Sequence, residues 1–259
     1  MEYFVWNADP VLFHFGSIRV FWYGLLFATP ILIGTQLMKW IFTREGKNAE
    51  LVDNGFTYAF IGIVVGARLG HCLFYDPSYY FANPMKIFAV WEGGLASHGG
   101  GLGVIIALYL FVKKYKIDFL WLLDRMTIPT IIFAFFVRMG NFMNSEILGR
   151  ATDVPWAIIF ERVDNIPRHP AQLYEAISYF FIFLLLFSIY KFSKNLRKGF
   201  LFGLFLSLVF TARLLIEFVK ERQASYGSDF FLNTGQMLSV PFLLIGLVFI
   251  VYSMKQSRV

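Results

Sequence analysis

The residues best equipped for chemistry crowd into Val137–Arg150, VRMGNFMNSEILGR, where an apolar run ends and Arg138, Asn141, Asn144, Glu146 and Arg150 arrive together. A guanidinium is a planar fork of donors suited to phosphate or carboxylate, and amide and carboxylate side chains can hold that fork in place. The preceding run, Phe119–Val137, is long and oily enough to cross a bilayer, so Arg138, Asn141 and Glu146 are expected at or just inside a membrane interface. Gly140 and Gly149 let the backbone turn sharply or approach a ligand closely.

Other polar residues interrupt apolar runs elsewhere. Trp91–Gly103, WEGGLASHGGGLG, sets His98 among six glycines. Its imidazole is either a packed interfacial group or a proton acceptor brought near a substrate by the permissive backbone. Arg213 and Glu217 are four apart in ARLLIEF and share a helix face, where they pair with each other or reach one ligand. Arg168–Glu175, RHPAQLYE, opens a helix with Pro170 in its first turn and places Gln172 and Glu175 on one side. Arg68 and His71, three apart, are either a functional pair or anchors reaching for headgroups. Asp124 and Arg125 are adjacent and point apart, so no mutual ion pair is expected; Asp124 turns inward as an anchor and Arg125 reaches the inner headgroups. Arg19 and FWYG form an aromatic anchor from which Tyr23 can point inward.

The elements that must position these residues follow from composition. With 58% hydrophobic, 20% aromatic and only 15% charged residues, the chain is far more apolar than a soluble domain and is expected to be an integral membrane protein. Apolar runs near Ile18–Phe42, Phe56–Phe74, Leu95–Val112, Phe119–Val137, Leu173–Tyr190, Phe200–Val219 and Leu238–Tyr252 predict an all-α, polytopic bundle of seven transmembrane helices within one domain, 1–259. The glycine-rich third run begins either as a clean helix or as a broken, re-entrant segment. Residues 1–16 lack the basic start and cleavage site of a signal peptide.

The net charge of +6 does not argue for nucleic acid, because the basic residues sit in short loops between apolar runs. One side of the predicted bundle carries Lys39, Arg44, Lys47, Lys113, Lys114, Lys116, Lys191, Lys194, Arg197, Lys198, Lys255 and Arg258. The other carries Lys86, Arg138, Arg150, Arg162, Arg168, Lys220 and Arg222. The heavier side is cytoplasmic by the positive-inside rule, which puts the N-terminus outside, the C-terminus inside and a small extracytoplasmic head at about 141–170. Cys72, the only cysteine, forms no internal disulfide and is expected to pack structurally.

The string RMGNFMNSEILGR closely resembles the G-R-x-G-N-F-x-N-x-E-x-x-G-R motif of the bacterial prolipoprotein diacylglyceryl transferases, with Val137 in place of its first glycine. WYGLL at Trp22–Leu26, SHGGGLG, RHPAQLYEA, RLLIEFVKER and GQMLSVP agree in the family's order, although Ser97 stands before His98 where the family often has an aromatic. The resemblance implies an enzyme of the bacterial cytoplasmic (inner) membrane. It would move the diacylglyceryl group of phosphatidylglycerol onto the lipobox cysteine of a prolipoprotein, leaving a thioether-linked lipid and glycerol-1-phosphate. It further implies that Arg138 and Arg213 hold the phosphate, that Asn141, Glu146 and Gly149 shape the site, that Glu217 orients Arg213, that Tyr23 lines the cavity, and that His98 activates the thiol. Seven helices, an outward-facing active site, no metal and no cofactor belong to the same implication.

That chemistry suits the residues. Attack by a thiolate needs help in losing the thiol proton and in stabilising charge on the departing phosphate. The nucleophilic sulfur belongs to the substrate, so the enzyme needs no reactive cysteine of its own. An anion transporter would also bury arginines and a histidine, but it is expected to show paired repeats with broken helices, and the sequence contains none.

Overall fold

The computed structural model describes residues 2–193, 195–221 and 233–255; Lys194, Arg222 and Arg258 of the basic tally lie outside them. The chain is mostly helical. Strands β1 (Phe4–Trp6), β2 (Val11–Phe15) and β3 (Ile18–Phe21) lead into helices α1 (Trp22–Arg44) and α2 (Leu51–Phe74). A short α3 (Pro77–Ala82) and two 3-10 turns, Pro84–Phe88 and Val90–Glu92, precede α4 (Ser97–Tyr115) and α5 (Phe119–Met143). Strands β4 (Ile158–Phe160) and β5 (Pro167–Arg168) follow, then α6 (Ala171–Phe192), α7 (Phe200–Ile216) and α8 (Thr234–Lys255).

Each of the seven apolar runs coincides with a helix. Five of these, α1, α2, α5, α6 and α8, are long and apolar enough to cross a membrane, and α7 is a shorter apolar helix. The polar Ser-His-Gly opening of α4 dilutes its apolar character. Burial runs opposite to that of a water-soluble protein: Leu32, Phe60 and Val248 face outward, while Asp124, Gln172, Glu175 and Lys220 are buried. The molecule is a multi-pass membrane protein. The first apolar run is not helical throughout, because Ile18–Phe21 pairs with Val11–Phe15 as a hairpin before α1 begins.

The described chain forms two compact units, Met1–Gln36 with Leu123–Val259, and Leu37–Leu122. In the first, β1 runs parallel to β4 (Phe4 opposite Ile158, Trp6 opposite Phe160) and β4 runs antiparallel to β5. These strands cover a small core of Phe142, Leu148, Ile158 and Phe160, with Trp6 and Leu173 against it. The Trp6 indole donates to the Phe142 carbonyl at 3.2 Å, which ties the N-terminal strand to the end of α5. At the opposite end of α5, Asp124 is fully buried and accepts from the Gly199 and Phe202 amides at 2.7 and 2.8 Å. It thereby satisfies first-turn donors of α7 that have no partner within their own helix.

The anchoring role expected of Asp124 is therefore seen, but the reading of its neighbour is corrected. Arg125 is buried rather than extended to headgroups, and its guanidinium lies 3.7 Å from Asp124 and over the Tyr190 ring. Adjacent side chains leave a helix about 100° apart, but a long arginine can fold back to a neighbouring carboxylate, especially where lipid offers no water.

In the second unit α2 lies against α4 along Gly62, Gly66 and Gly70 on one helix and Gly99 and Gly103 on the other. A Cβ on Gly66 would meet the Gly99 carbonyl and would lie 2.7 Å from the Gly103 Cα. Small residues let membrane helices bring their backbones together, where van der Waals contact replaces the missing hydrophobic drive. The α4 entry is held just as closely, with the Ala96 amide donating to the Ala67 carbonyl at 2.9 Å.

Arg68 does not reach for headgroups. It is buried and donates to the carbonyls of Ile87 (2.9 Å), Lys86 (2.5 Å), Gly93 and Gly94 (3.3 Å), with Tyr80 beneath its guanidinium. It clasps the irregular segment 84–94, and His71 stacks on Tyr75 beside it. Backbone carbonyls freed from helices at membrane depth need such a donor. Cys72 is buried, as expected of a packing residue.

Gly66→Val should destabilise the α2–α4 contact by about 1–3 kcal/mol through overpacking. The fall in Tm of the detergent-solubilised protein measures it. Gly101→Ala, where a Cβ would meet nothing within 4 Å, should leave Tm unchanged.

Candidate active site

The last turns of α5 carry Arg138 and Asn141 three residues apart, so both emerge on one side of the helix. The Arg138 guanidinium donates to Asn141 Oδ1 at 3.2 Å, and the Asn141 amide donates to Glu146 Oε2 at 3.2 Å. Asn144 donates to the other Glu146 oxygen at 3.2 Å. The chain can fold back in this way because Ser145 and Ile147 both take left-handed backbone angles, φ 56° each, on either side of Glu146. The Gln172 side chain donates to the Glu146 carbonyl and fixes the turn from α6.

Arg138 also meets a second carboxylate. Its Nε stands 2.9 Å from Glu175 Oε2, and Lys220 Nζ lies 3.6 Å from Glu175 Oε1. Glu175 is completely buried, and neither of its oxygens accepts an aligned hydrogen bond among the described residues, so the two cations hold it by charge. Lys220 is 3.4 Å from Glu217 Oε2 as well. The expected alignment of Glu217 with Arg213 is not what the structure presents: the carboxylate lies toward Lys220 and against Gly235. Arg213 Nε is buried and has no hydrogen-bond partner among the described residues. The buried Tyr179 side chain lies in the combined field of Glu175, Arg138 and Arg213.

Gly149 is set by a close approach. Its amide donates to the His169 carbonyl at 3.0 Å, it bridges Lys220 in antiparallel fashion, and a Cβ there would collide with the His169 carbonyl and lie 2.5 Å from the His169 Cβ. Arg168, beside it, is buried and donates to the Gly149 carbonyl at 3.3 Å while pairing with Asp164 at 2.6 Å and Glu221 at 3.1 Å. Its guanidinium holds the Asp164 carboxyl below the usual 3.8. Tyr23 lies against Gly140, where a Cβ would come within 2.9 Å of its ring.

Seven of the eight residues singled out in the sequence, Tyr23, Arg138, Asn141, Glu146, Gly149, Arg213 and Glu217, thus belong to the first unit. His98 belongs to the second, exposed in the first turn of α4. Sequence reasoning missed Glu175, Tyr179 and Lys220 as members of the cluster. Two signals pointed to them: Gln172, Glu175 and Tyr179 recur on one face of α6, and Lys220 continues the face of Arg213 and Glu217.

Described residues show no group of three or more His, Cys, Asp or Glu able to hold a metal. What the arrangement can do is bind an anion. Arg138 is held by Asn141 and Glu175, and Arg213 keeps a buried donor without a partner among the described residues, in surroundings of low dielectric where charge-assisted hydrogen bonds are strong.

Gly149→Ala should cost about 1–3 kcal/mol, read as a lower Tm, because its methyl group has backbone rather than a pliable side chain to displace. Asp164 stabilises the folded state above its usual value of 3.8, and that stability disappears as pH falls through the lower folded value. The Tm difference between wild type and Asp164→Asn should therefore shrink below about pH 4.

Comparison with known proteins matches residues 10–252 to the family model for prolipoprotein diacylglyceryl transferase. A phosphatidylglycerol–prolipoprotein diacylglyceryl transferase of Tolumonas auensis is 55% identical over 253 residues, covering 97% of this chain and 98% of the relative. Proteins of the same name from Chloroherpeton thalassium and Vibrio cholerae are 47% and 39% identical, covering 99% and 97% of this chain and 97% and 93% of their own lengths. Matched from end to end at such identity, this chain belongs to the prolipoprotein diacylglyceryl transferase family.

Proposed function

We propose that this protein transfers the diacylglyceryl group of phosphatidylglycerol to the lipobox cysteine thiol of prolipoproteins, forming a thioether and releasing glycerol-1-phosphate. The observation that carries this reading is the Arg138 guanidinium, held between Asn141 and Glu175 where the polar motif folds back, with Arg213 Nε lacking a hydrogen-bond partner among the described residues. The full-length similarity to proteins of that name supports the substrates.

In this reading the thiolate forms a new carbon–sulfur bond at the glyceryl carbon as the carbon–oxygen bond to phosphate breaks. The bond's electrons leave with the phosphate, so a diester of one negative charge becomes a monoester approaching two. Guanidinium groups placed on that phosphate stabilise the transition state more than the ground state, which is what accelerates a reaction. Arg138 and Arg213 take this part. Asn141 and Glu146 keep Arg138 in orientation, Gly149 admits the close-packed turn, Glu217 bounds the site beside Arg213, and Tyr23 lines it. His98 is our candidate for taking the thiol proton, on the strength of its imidazole chemistry and its place in the family-like histidine-glycine run.

The proposed setting is the bacterial cytoplasmic (inner) membrane. There the proposed arrangement is a single domain, 1–259, of seven membrane helices, with the N-terminus outside, the C-terminus inside, and the head at about 141–170 on the outer face. The excess of basic residues on the opposite side supports this orientation.

The purified protein incubated with phosphatidylglycerol and a lipobox peptide should add a diacylglyceryl mass to the peptide and release glycerol-1-phosphate in equal amount. Folded Arg138→Ala should be slower by about a hundredfold or more, and folded His98→Gln by about a hundredfold as well. A wild-type protein that leaves the peptide unchanged would overturn the assignment.

A further inference from the structure

Arg213 and Glu217 stand at the spacing where a helix ordinarily pairs opposite charges. Here they do not pair. Glu217 Oε2 lies 3.4 Å from Lys220 Nζ, and the same oxygen would be 2.8 Å from a Cβ on Gly235, so the absence of a side chain at the start of α8 leaves the space it occupies. Lys220 is only 4% exposed, and it is fixed from behind: its carbonyl accepts from Arg150 Nε at 3.1 Å and its backbone bridges Gly149.

The buried and half-buried members of the cluster are three cations, Arg138, Lys220 and Arg213, and two anions, Glu175 and Glu217. Exposed Arg150 and Glu146 offset one another in contact with solvent. Arg138 and Lys220 between them engage both carboxylates. Arg213 is left over, with its buried Nε unsatisfied among the described residues. An uncompensated cation inside a membrane protein is costly, so the cluster is completed by one anion of single charge, the charge of a phosphodiester.

We infer that Lys220 is a positioning residue that draws Glu217 away from Arg213 and so keeps the Arg213 guanidinium open for the lipid phosphate. This rests on the phosphate-binding reading given above. Without the Lys220 ammonium, Arg213 is the cation four residues from Glu217 that remains among the described residues, and a pair between those two would fill the site from within.

The test is the KM for phosphatidylglycerol, measured on the full-length, detergent-solubilised protein with a fixed lipobox peptide and with Tm followed in parallel. Lys220→Met should raise that KM by about tenfold with a smaller change in kcat, whereas Lys220→Arg should stay within about threefold of wild type. Adding Glu217→Gln to Lys220→Met should recover most of the loss, because the carboxylate that would occupy Arg213 is gone. A double variant as impaired as Lys220→Met would overturn the inference and make Lys220 itself a phosphate ligand; an unchanged KM in Lys220→Met would overturn it outright. Should Lys220→Met fail to fold, the double variant decides alone: a KM near wild type supports the role, and one raised tenfold defeats it. Arg213→Ala separates this from the underlying assignment. If it leaves the KM unchanged, the phosphate reading has failed; if it raises the KM while Lys220→Met does not, only the role of Lys220 has.

Discussion

The first unit depends on one buried carboxylate. Glu175, with no exposed surface, is compensated by Arg138 from α5 on one oxygen and by Lys220, just beyond α7, on the other. Removing either cation, or the carboxylate itself, would strand charge in a place without water, a loss of about 3–5 kcal/mol when one partner of a buried pair is deleted. The consequence is geometric as much as energetic. Three helices are tied at the point where the polar motif leaves α5, and Arg138 is restrained both by Glu175 and by Asn141. A guanidinium restrained in advance surrenders little entropy when an anion arrives.

The two units solve the membrane packing problem differently. The first uses polar anchors, with Asp124 capping α7 at one end of α5 and the Glu175 cluster at the other, and adds a close α7–α8 contact in which a Cβ on Gly246 would lie 2.6 Å from Ser207 Oγ. The second brings α2 and α4 together through glycines, then uses Arg68 to satisfy the carbonyls of a segment that is not helical. Both devices answer the same constraint: lipid cannot hydrogen-bond a backbone, so each irregular stretch needs a donor or a cap from the protein.

This explains how far the sequence could be read. Runs of about 20 apolar residues announce helices because hydrocarbon thickness demands them, and each of the seven runs contains one. β1, β4 and β5 escaped notice: three residues have no useful periodicity, and Phe4 finds Ile158 only through the folded chain. Within the site, Arg138, Asn141 and Glu146 were legible because helix spacing and a short turn place them together. In the sequence alone Lys220 reads as a loop charge and Glu175 as part of a helix start, since what makes them part of the cluster is a pairing between distant segments. Arg68 was misjudged for a related reason: sequence reports its charge, but its partners are carbonyls, which every residue carries.

Ser145 and Ile147 add a last step. Left-handed backbone angles outside glycine cost about 1–3 kcal/mol each and persist only where the surroundings over-determine them, and for a β-branched isoleucine the conformation is especially unfavourable. The surroundings here do so: Leu148 is locked in the small core, Gly149 is hydrogen-bonded to His169 and bridged to Lys220, and Gln172 holds the Glu146 carbonyl. Between these fixed points the chain must reverse within a few residues of leaving α5, and the reversal is what turns the Glu146 carboxylate back onto Asn141, and through Asn141 onto Arg138. Glycine at either position would relieve the angle but also loosen the turn. The strain is therefore the cost of aiming one guanidinium, and packing far from that guanidinium supplies it.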